Sequence, residues 1–153
     1  MSDFRDLLRR FSSLIRHGTG SVEENETQLA VLCDQLGLFA LSRREHAERG
    51  HFGDVPEWDH ERTRTLVTAR FPRFGYYNAA APTTTGIGAG EVVVGDAIDD
   101  VADIADELAA VEWCLENTGE AHALRHFFDG YDRHWGEHLR RLQLYLYCLG
   151  RGL

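Results

Sequence analysis

Apolar residues recur every three or four positions along most of this chain, which is the spacing of amphipathic α-helices. The pattern predicts three helices in the N-terminal half, over Asp3–His17, 21–40 and Asp59–Arg70. It predicts two longer helices, Gly95–Glu116 and Glu120–Leu149, in the C-terminal half. Because only a short turn joins these last two, they are expected to pack as an antiparallel hairpin. The sequence therefore predicts an all-α bundle of about five helices.

Two segments depart from the helical pattern. Arg43–Glu57 is polar and contains two glycines and a proline, so it is predicted to be a loop. Residues 79–94 begin with a stretch rich in Thr, Gly and Ala, and they are predicted to be a mobile loop. Its β-branched end, Glu91–Val94, is predicted to pair with Phe74–Tyr77 as a small β-hairpin. At 153 residues the whole chain is expected to form a single domain.

The balance of charges limits the partners that this chain can attract. Its 25 acidic and 16 basic residues give a formal net charge of −9, which argues against binding to nucleic acid or to an anionic membrane. All 16 basic residues are arginine. The absence of lysine excludes P-loop NTPases, and it also excludes Schiff-base and pyridoxal-phosphate chemistry. A protein partner, or a second copy of the chain, is the kind of macromolecular partner that remains.

Cysteine usage and hydropathy indicate the compartment. Cys33, Cys114 and Cys148 form no CxxC motif and are odd in number, which predicts reduced thiols. The first residues have no apolar signal core, and no apolar run approaches the ~18 residues of a membrane span. We therefore expect a cytoplasmic protein.

The segment GDAIDDVADIAD (95–106) contains five aspartates within twelve residues. Asp96 is predicted to be the N-cap of the helix, where a carboxylate accepts hydrogen bonds from free amide groups. At 100° per residue, Asp99, Asp103 and Asp106 fall opposite the apolar centre of the helix. Most of this acid is therefore predicted to face solvent.

Asp100 and Asp103 differ from the other aspartates because they lie on a flank of the helix, between its apolar and polar faces. Counting back from the turn of the predicted hairpin places these aspartates level with His134 and His138 of the last helix. The two histidines are four residues apart, the usual spacing for two metal ligands on one helical face. The alternative is that they form hydrogen bonds with neighbouring carboxylates and hold the hairpin together.

Two further pairs are candidates for a site. Glu112 falls close to the apolar centre of its helix and is level with Arg125 across the turn, which predicts a buried Glu112–Arg125 pair. The alternative is a carboxyl with a raised pKa that acts as a general acid or base. Tyr76 and Tyr77 lie in a short aromatic segment and are candidates for a binding lip.

Three motifs occur in order in the C-terminal half: FGYYN (74–78), VVVGDAIDDVADI (92–104) and HWGEHL (134–139). Over roughly residues 71–147 they resemble a family of uncharacterised bacterial proteins, classed as a domain of unknown function. The resemblance implies a small, mostly helical, cytoplasmic bacterial protein and supplies no catalytic residue. The positions that match the family pattern are Gly95, Asp96, Asp99, Asp100, Asp103, His134, Trp135, Gly136 and His138.

These patterns favour a non-enzymatic, acidic helical domain that binds a partner as an adaptor, because no catalytic motif is present. The first alternative is a divalent-metal-binding protein or metal-dependent hydrolase that uses Asp100, Asp103, His134 and His138. The second is a homodimer formed through the long C-terminal helix. No cofactor is expected by default, and a divalent metal is the one that these residues are suited to hold.

Overall fold

The computed structural model describes residues 2–42, 54–83 and 85–153. Within these ranges the chain is an all-α bundle with one small antiparallel β-hairpin, as the apolar spacing predicts. Most of the segment predicted as a loop, Arg43–Glu57, lies outside the described residues. None of the helices in the described part of the chain has the length and apolar character needed to cross a membrane.

The first four helices lie close to their predicted positions. They are α1 (Ser2–His17), α2 (Val22–Ser42), α3 (His60–Arg70) and α4 (Ala97–Asn117). Three of them begin with a side-chain cap from the residue before the helix. Ser21 accepts a hydrogen bond from the third amide after it at 3.1 Å, Asp59 does the same at 3.1 Å, and Asp96 accepts from the second amide after it at 3.0 Å. The prediction of Asp96 as an N-cap is confirmed.

The last helix contains a turn that apolar spacing does not predict. It consists of α5 (Glu120–Gly130), one π turn (Tyr131–Trp135) and α6 (Gly136–Leu149) without a break. The amide of Gly136 donates to the carbonyl of Tyr131, five residues back, which defines the π turn. A Cβ atom on Gly136 would lie 2.3 Å from that carbonyl oxygen, so the turn requires glycine at this position.

The β-hairpin joins α3 to α4. Strand β1 (Tyr76–Ala81) pairs with β2 (Glu91–Asp96) in an antiparallel register that places Tyr77 opposite Gly95. The hairpin is therefore longer than predicted. Both ends of the predicted mobile loop 79–94 are strands, because their backbone groups complete the ladder, and Gly95 belongs to β2 and not to the helix.

Helix α4 lies at the centre of the bundle and packs against α1, α3, α5 and α6. Its buried apolar stripe consists of Ala97, Val101, Ile104, Leu108, Val111 and Leu115. The rings of Phe4 and Phe39 stack with centroids 4.7 Å apart, and Phe127 packs edge-on against both. Because α3 and α6 both pack against α4, side chains from both helices reach its acidic flank.

Candidate metal site

The acidic face of α4 is covered by α3. Asp99, Asp103 and Asp106 are predicted to face solvent, but side chains of α3 contact all three. Only 20% of the Asp103 side chain and 19% of the Asp106 side chain remain exposed. The prediction is wrong for Asp103 and Asp106, whereas 43% of the Asp99 side chain is exposed. A helical wheel assigns the side opposite the apolar stripe to water and takes no account of a neighbouring polar helix.

Three of the four residues predicted as metal ligands converge on one point. His138 Nε2 lies 3.4 Å from Asp103 Oδ2, and His134 Nε2 lies 4.0 Å from the same oxygen. One ligand atom from each of these three residues lies within 4.8 Å of the other two. The two imidazole rings are 5.1 Å apart and nearly perpendicular, so their Nε2 atoms approach Asp103 from different directions.

The fourth predicted ligand, Asp100, has a different role. It is buried, and its Oδ1 accepts a hydrogen bond from His138 Nδ1 at 2.7 Å. That bond turns the other ring nitrogen of His138 toward Asp103. It also raises the pKa of His138, because the carboxylate stabilises the protonated ring. Asp100 therefore orients the His138 ring through the nitrogen that faces away from Asp103.

Glu107 orients the other histidine in the same way, and the sequence reasoning missed it. Its Oε1 accepts a hydrogen bond from His134 Nδ1 at 2.9 Å. Its Oε2 lies 3.7 Å from Nε2 of His126, which is half-buried. A Cβ atom on Gly130 would lie 2.8 Å from Glu107 Oε2, so glycine there permits this close approach. The only sequence signal was the position of Glu107 one turn after Asp103.

A third histidine, His60 of α3, lies on the opposite side of Asp103. Its Nδ1 donates to Asp106 Oδ2 at 2.8 Å, and its Nε2 lies 3.3 Å from Asp99 Oδ1. The same Nδ1 is 3.9 Å from Asp103 Oδ1. Its hydrogen bond to Asp106 is the main cause of its raised pKa. No sequence spacing links α3 to α4, so His60 was not among the predicted site residues.

Two more side chains of α3 secure the same face. Thr63 donates to Asp106 at 2.5 Å, and Arg64 is paired with Asp96 at 3.1 Å and with Asp99. Asp99 and Asp106 therefore keep a partner on α3 besides His60. Burial raises the pKa of Asp103, which lies between the two groups of histidines.

The two tyrosines of the predicted binding lip point in different directions. Tyr76 is 76% exposed, whereas Tyr77 is half-buried and its hydroxyl donates to Asp100 Oδ2. Burial, followed by this hydrogen bond, raises the pKa of Tyr77. The ring of Tyr77 crosses Gly95, where a Cβ atom would lie 2.3 Å from it. The prediction of a binding lip is wrong for Tyr77. Successive side chains of β1 point to opposite faces, and Tyr77 lies on the face toward α4.

The predicted Glu112–Arg125 pair is also corrected. Glu112 accepts a hydrogen bond from Ser12 and lies near Arg16, both on α1. Arg125 is paired with Asp129 at 2.5 Å. Burial raises the pKa of Glu112, and the contact with Ser12 opposes that shift. The pair was predicted from the hairpin alone, whereas α1 packs on the face of α4 that carries Glu112.

A cleft of about 350 Å³ opens beside Asp103 and His134, two of the three converging residues. Glu107 lines it as well. Val55 and Trp58, from the segment before α3, also line it. A molecule in this cleft would lie against the exposed edge of the cluster.

No protein-family model, curated protein or solved structure matches this chain. The likeness to a family of uncharacterised bacterial proteins therefore stays a resemblance. The function has to be inferred from the arrangement of the side chains.

Proposed function

We propose that this protein binds one divalent transition-metal ion through Asp103, His134 and His138. The observation that carries the proposal is the convergence of both Nε2 atoms on Asp103 Oδ2, at 3.4 and 4.0 Å. Metal–nitrogen bonds of about 2 Å require these atoms to surround a common point, and an ion placed between them would bring the three groups slightly closer together.

The chemistry of the three groups selects the class of metal. Two imidazoles and one carboxylate suit zinc, iron, cobalt or nickel, whereas magnesium and calcium prefer sites made of oxygen ligands. Three protein ligands leave at least one position for water or another ligand.

The surroundings of the two histidines support the same proposal. A histidine that ligates a metal almost always donates its other ring N–H to a carboxylate, a carbonyl or water. His138 does so to Asp100 at 2.7 Å, and His134 does so to Glu107 at 2.9 Å. When neutral, both rings are therefore favoured in the tautomer that leaves Nε2 free to bind an ion.

The charge of the flank also favours a cation. Asp99, Asp100, Asp103, Asp106 and Glu107 all lie along a little over two turns of α4. Part of this charge is balanced by Arg64, and the histidines balance more only when they are protonated. A bound divalent ion would supply the missing positive charge when the histidines are neutral.

An acidic adaptor, the function favoured by the sequence pattern, depends on an exposed acidic face. The cover that α3 places over Asp103 and Asp106 reduces the support for it. Homodimerisation through the last helix stays a prediction. Leu139 and Leu142 of its apolar stripe are buried within the chain, which leaves Leu144 and Tyr147 as its large exposed apolar residues.

The test is metal titration of tag-free protein by calorimetry. We expect the parent to bind one equivalent of Zn²⁺ or Co²⁺ and to bind Mg²⁺ far more weakly. His134→Ala and Asp103→Asn should each lose at least about tenfold in affinity, since each removes one of three ligands. His17→Ala, which changes an exposed histidine of α1, is the control. A parent that binds no transition metal, or binds it equally well in all four proteins, overturns the proposal.

Metal-dependent hydrolysis is a second candidate, favoured by the cleft that opens beside Asp103 and His134. A divalent ion with an open position lowers the pKa of bound water and supplies a nucleophile near neutral pH. Zinc- or manganese-loaded protein should then hydrolyse chromogenic phosphate or carboxylate esters faster than His134→Ala does. Equal rates in the two proteins would remove hydrolysis of these esters and leave the binding function in place.

A further inference from the structure

We infer that His60 is a fourth protein ligand of the metal ion. This inference rests on the proposed function, because it concerns the same ion. It adds a residue from α3, a helix that contributes none of the three converging residues. It also changes the site from an open set of three protein ligands to a complete set of four.

The first observation is that the two carboxylate oxygens of Asp103 face different helices. Oδ2 faces the histidines of the last helix, with His138 Nε2 at 3.4 Å. Oδ1 faces α3, with His60 Nδ1 at 3.9 Å. One carboxylate thus has imidazoles on two sides. The His60 nitrogen nearest to Asp103 is the one bonded to Asp106, so the ring has to turn to present Nε2 to an ion bound there.

The second observation is that all three histidines are supported alike. Each presents its Nδ1 to a carboxylate of α4, at distances of 2.9, 2.7 and 2.8 Å. The pairs are His134 with Glu107, His138 with Asp100, and His60 with Asp106. Since a carboxylate on Nδ1 is the usual support of a ligating histidine, His60 has the same preparation for metal binding as the other two.

The third observation is that Asp99, the present partner of His60 Nε2, has a second cation beside it. The Nε2 atom of His60 lies at Asp99, 3.3 Å away, and 38% of the His60 side chain is exposed. Arg64 is also paired with Asp99, so that carboxylate keeps a cation when the imidazole leaves. Turning Nε2 from Asp99 toward Asp103 would exchange a hydrogen bond for a metal bond and retain Asp106 as the support.

Three imidazoles and one carboxylate form a four-coordinate set of the kind that zinc and cobalt accept. With His60 bound, the ion connects α3 to the hairpin of α4 with the last helix. With His60 turned back to Asp99, one position is open toward the cleft. The ion then has two coordination states that differ in a single imidazole.

The test uses Co²⁺, because its visible absorption bands are strong in four-coordinate sites and weak in six-coordinate ones. Tag-free parent, His60→Gly and His60→Gln are titrated with Co²⁺, and His17→Gly, at an exposed position of α1, is the control. We expect both His60 variants to lose about tenfold or more in affinity together with most of the band intensity. Added imidazole should restore the bands in His60→Gly, where it can occupy the vacated space, and not in His60→Gln.

The possible results distinguish a failure of the role of His60 from a failure of the metal site itself. If the parent binds cobalt and the His60 variants give the same spectrum as the parent, His60 is not a ligand while the proposed metal site stands. If the affinity falls but the bands keep their shape and strength, His60 acts only through Asp106, and the inference is overturned. If the parent binds no cobalt, both proposals fail. Circular dichroism of each variant confirms that its fold is retained.

Discussion

The Nδ1 atom of His138 donates a 2.7 Å hydrogen bond to Asp100, a carboxylate whose side chain is only 6% exposed. A buried carboxylate is costly unless it is fully hydrogen-bonded, and Tyr77 provides the donor for its second oxygen. Asp100 therefore links the β-hairpin, α4 and α6 through a single side chain. Its substitution should affect the stability of the fold and the orientation of His138 together.

We expect Asp100→Asn to lower the free energy of unfolding by about 1–3 kcal/mol, the usual effect of disrupting a buried hydrogen-bonded group. The affinity for Zn²⁺ should fall by about 10- to 100-fold, since His138 loses its carboxylate support. Urea denaturation and calorimetry measure the two effects. Asp129→Asn, which breaks an ion pair within one helix at the surface, is the control and should change stability by less than about 1 kcal/mol. Unchanged metal affinity in Asp100→Asn would contradict the supporting role.

The stability of the metal-free protein should depend on pH through two histidines. The pKa of His138 is raised mainly by its hydrogen bond to Asp100, and that of His60 mainly by its hydrogen bond to Asp106. A histidine with a raised pKa in the folded protein stabilises the fold below its unfolded value of 6.5. This contribution is lost as the pH rises through the higher folded pKa. We therefore expect the free energy of unfolding to fall as the pH increases above 6.5.

Urea midpoints measured on both sides of neutral pH check this dependence. His138→Gln and His60→Gln should each flatten the profile, because each removes one of the titrating groups. An exposed histidine serves as the control, and His17→Ala should leave the slope unchanged. A parent whose stability rises through the same pH range would show that the sign is wrong.

Gly136→Ala should destabilise the π turn. The new Cβ atom would lie 2.3 Å from the carbonyl oxygen of Tyr131, and backbone atoms cannot move aside as easily as a flexible side chain. We expect a loss of about 1–3 kcal/mol in the free energy of unfolding, the usual range for overpacking. Gly150→Ala is the matched control, because its Cβ would lie at an ordinary 3.5 Å from the nearest carbonyl oxygen. Equal stability of the two variants would show that the turn tolerates a side chain.

Gly95→Ala should weaken the contact between Tyr77 and Asp100. The added methyl group occupies the space that the Tyr77 ring crosses, at 2.3 Å from its nearest ring atom. A double-mutant cycle with Tyr77→Phe tests the coupling by thermal or urea unfolding. Because both changes act on one hydrogen bond, we expect the double variant to lose less stability than the sum of the two single losses. Additive losses would mean that Gly95 acts on something other than this bond.

The sequence predicts the helices well because their apolar residues keep a helical period and their caps are local. Asp96 as an N-cap needs only its own helix to be recognised, and the structure confirms it. The π turn escapes the same reasoning, since Trp135 and Leu139 stay in register with an ordinary helix. Only Gly130 and Gly136 mark its two ends.

In the candidate site, too, the residues that could be predicted are those whose position depends on local spacing. Asp103, His134 and His138 can be aligned from the sequence, because the spacing of the two histidines and the short turn between α4 and α5 fix their register. His60 and Glu112 depend on which helices cover α4. That choice is set by packing between segments distant along the chain, so the partner of Glu112 was wrong and His60 was missed.

The position of Asp103 between α3 and α6 makes two events thermodynamically reciprocal. Any ligand that binds Asp103 and contacts both helices stabilises the docking of α3 by the same factor by which docked α3 strengthens the binding of that ligand. Substitutions on the surface of α3, which touch no ligand, would then change affinity by altering how often the helix is docked. Because Asp103 contacts side chains of both helices, the packing of α3 would set the binding constant of a ligand at Asp103.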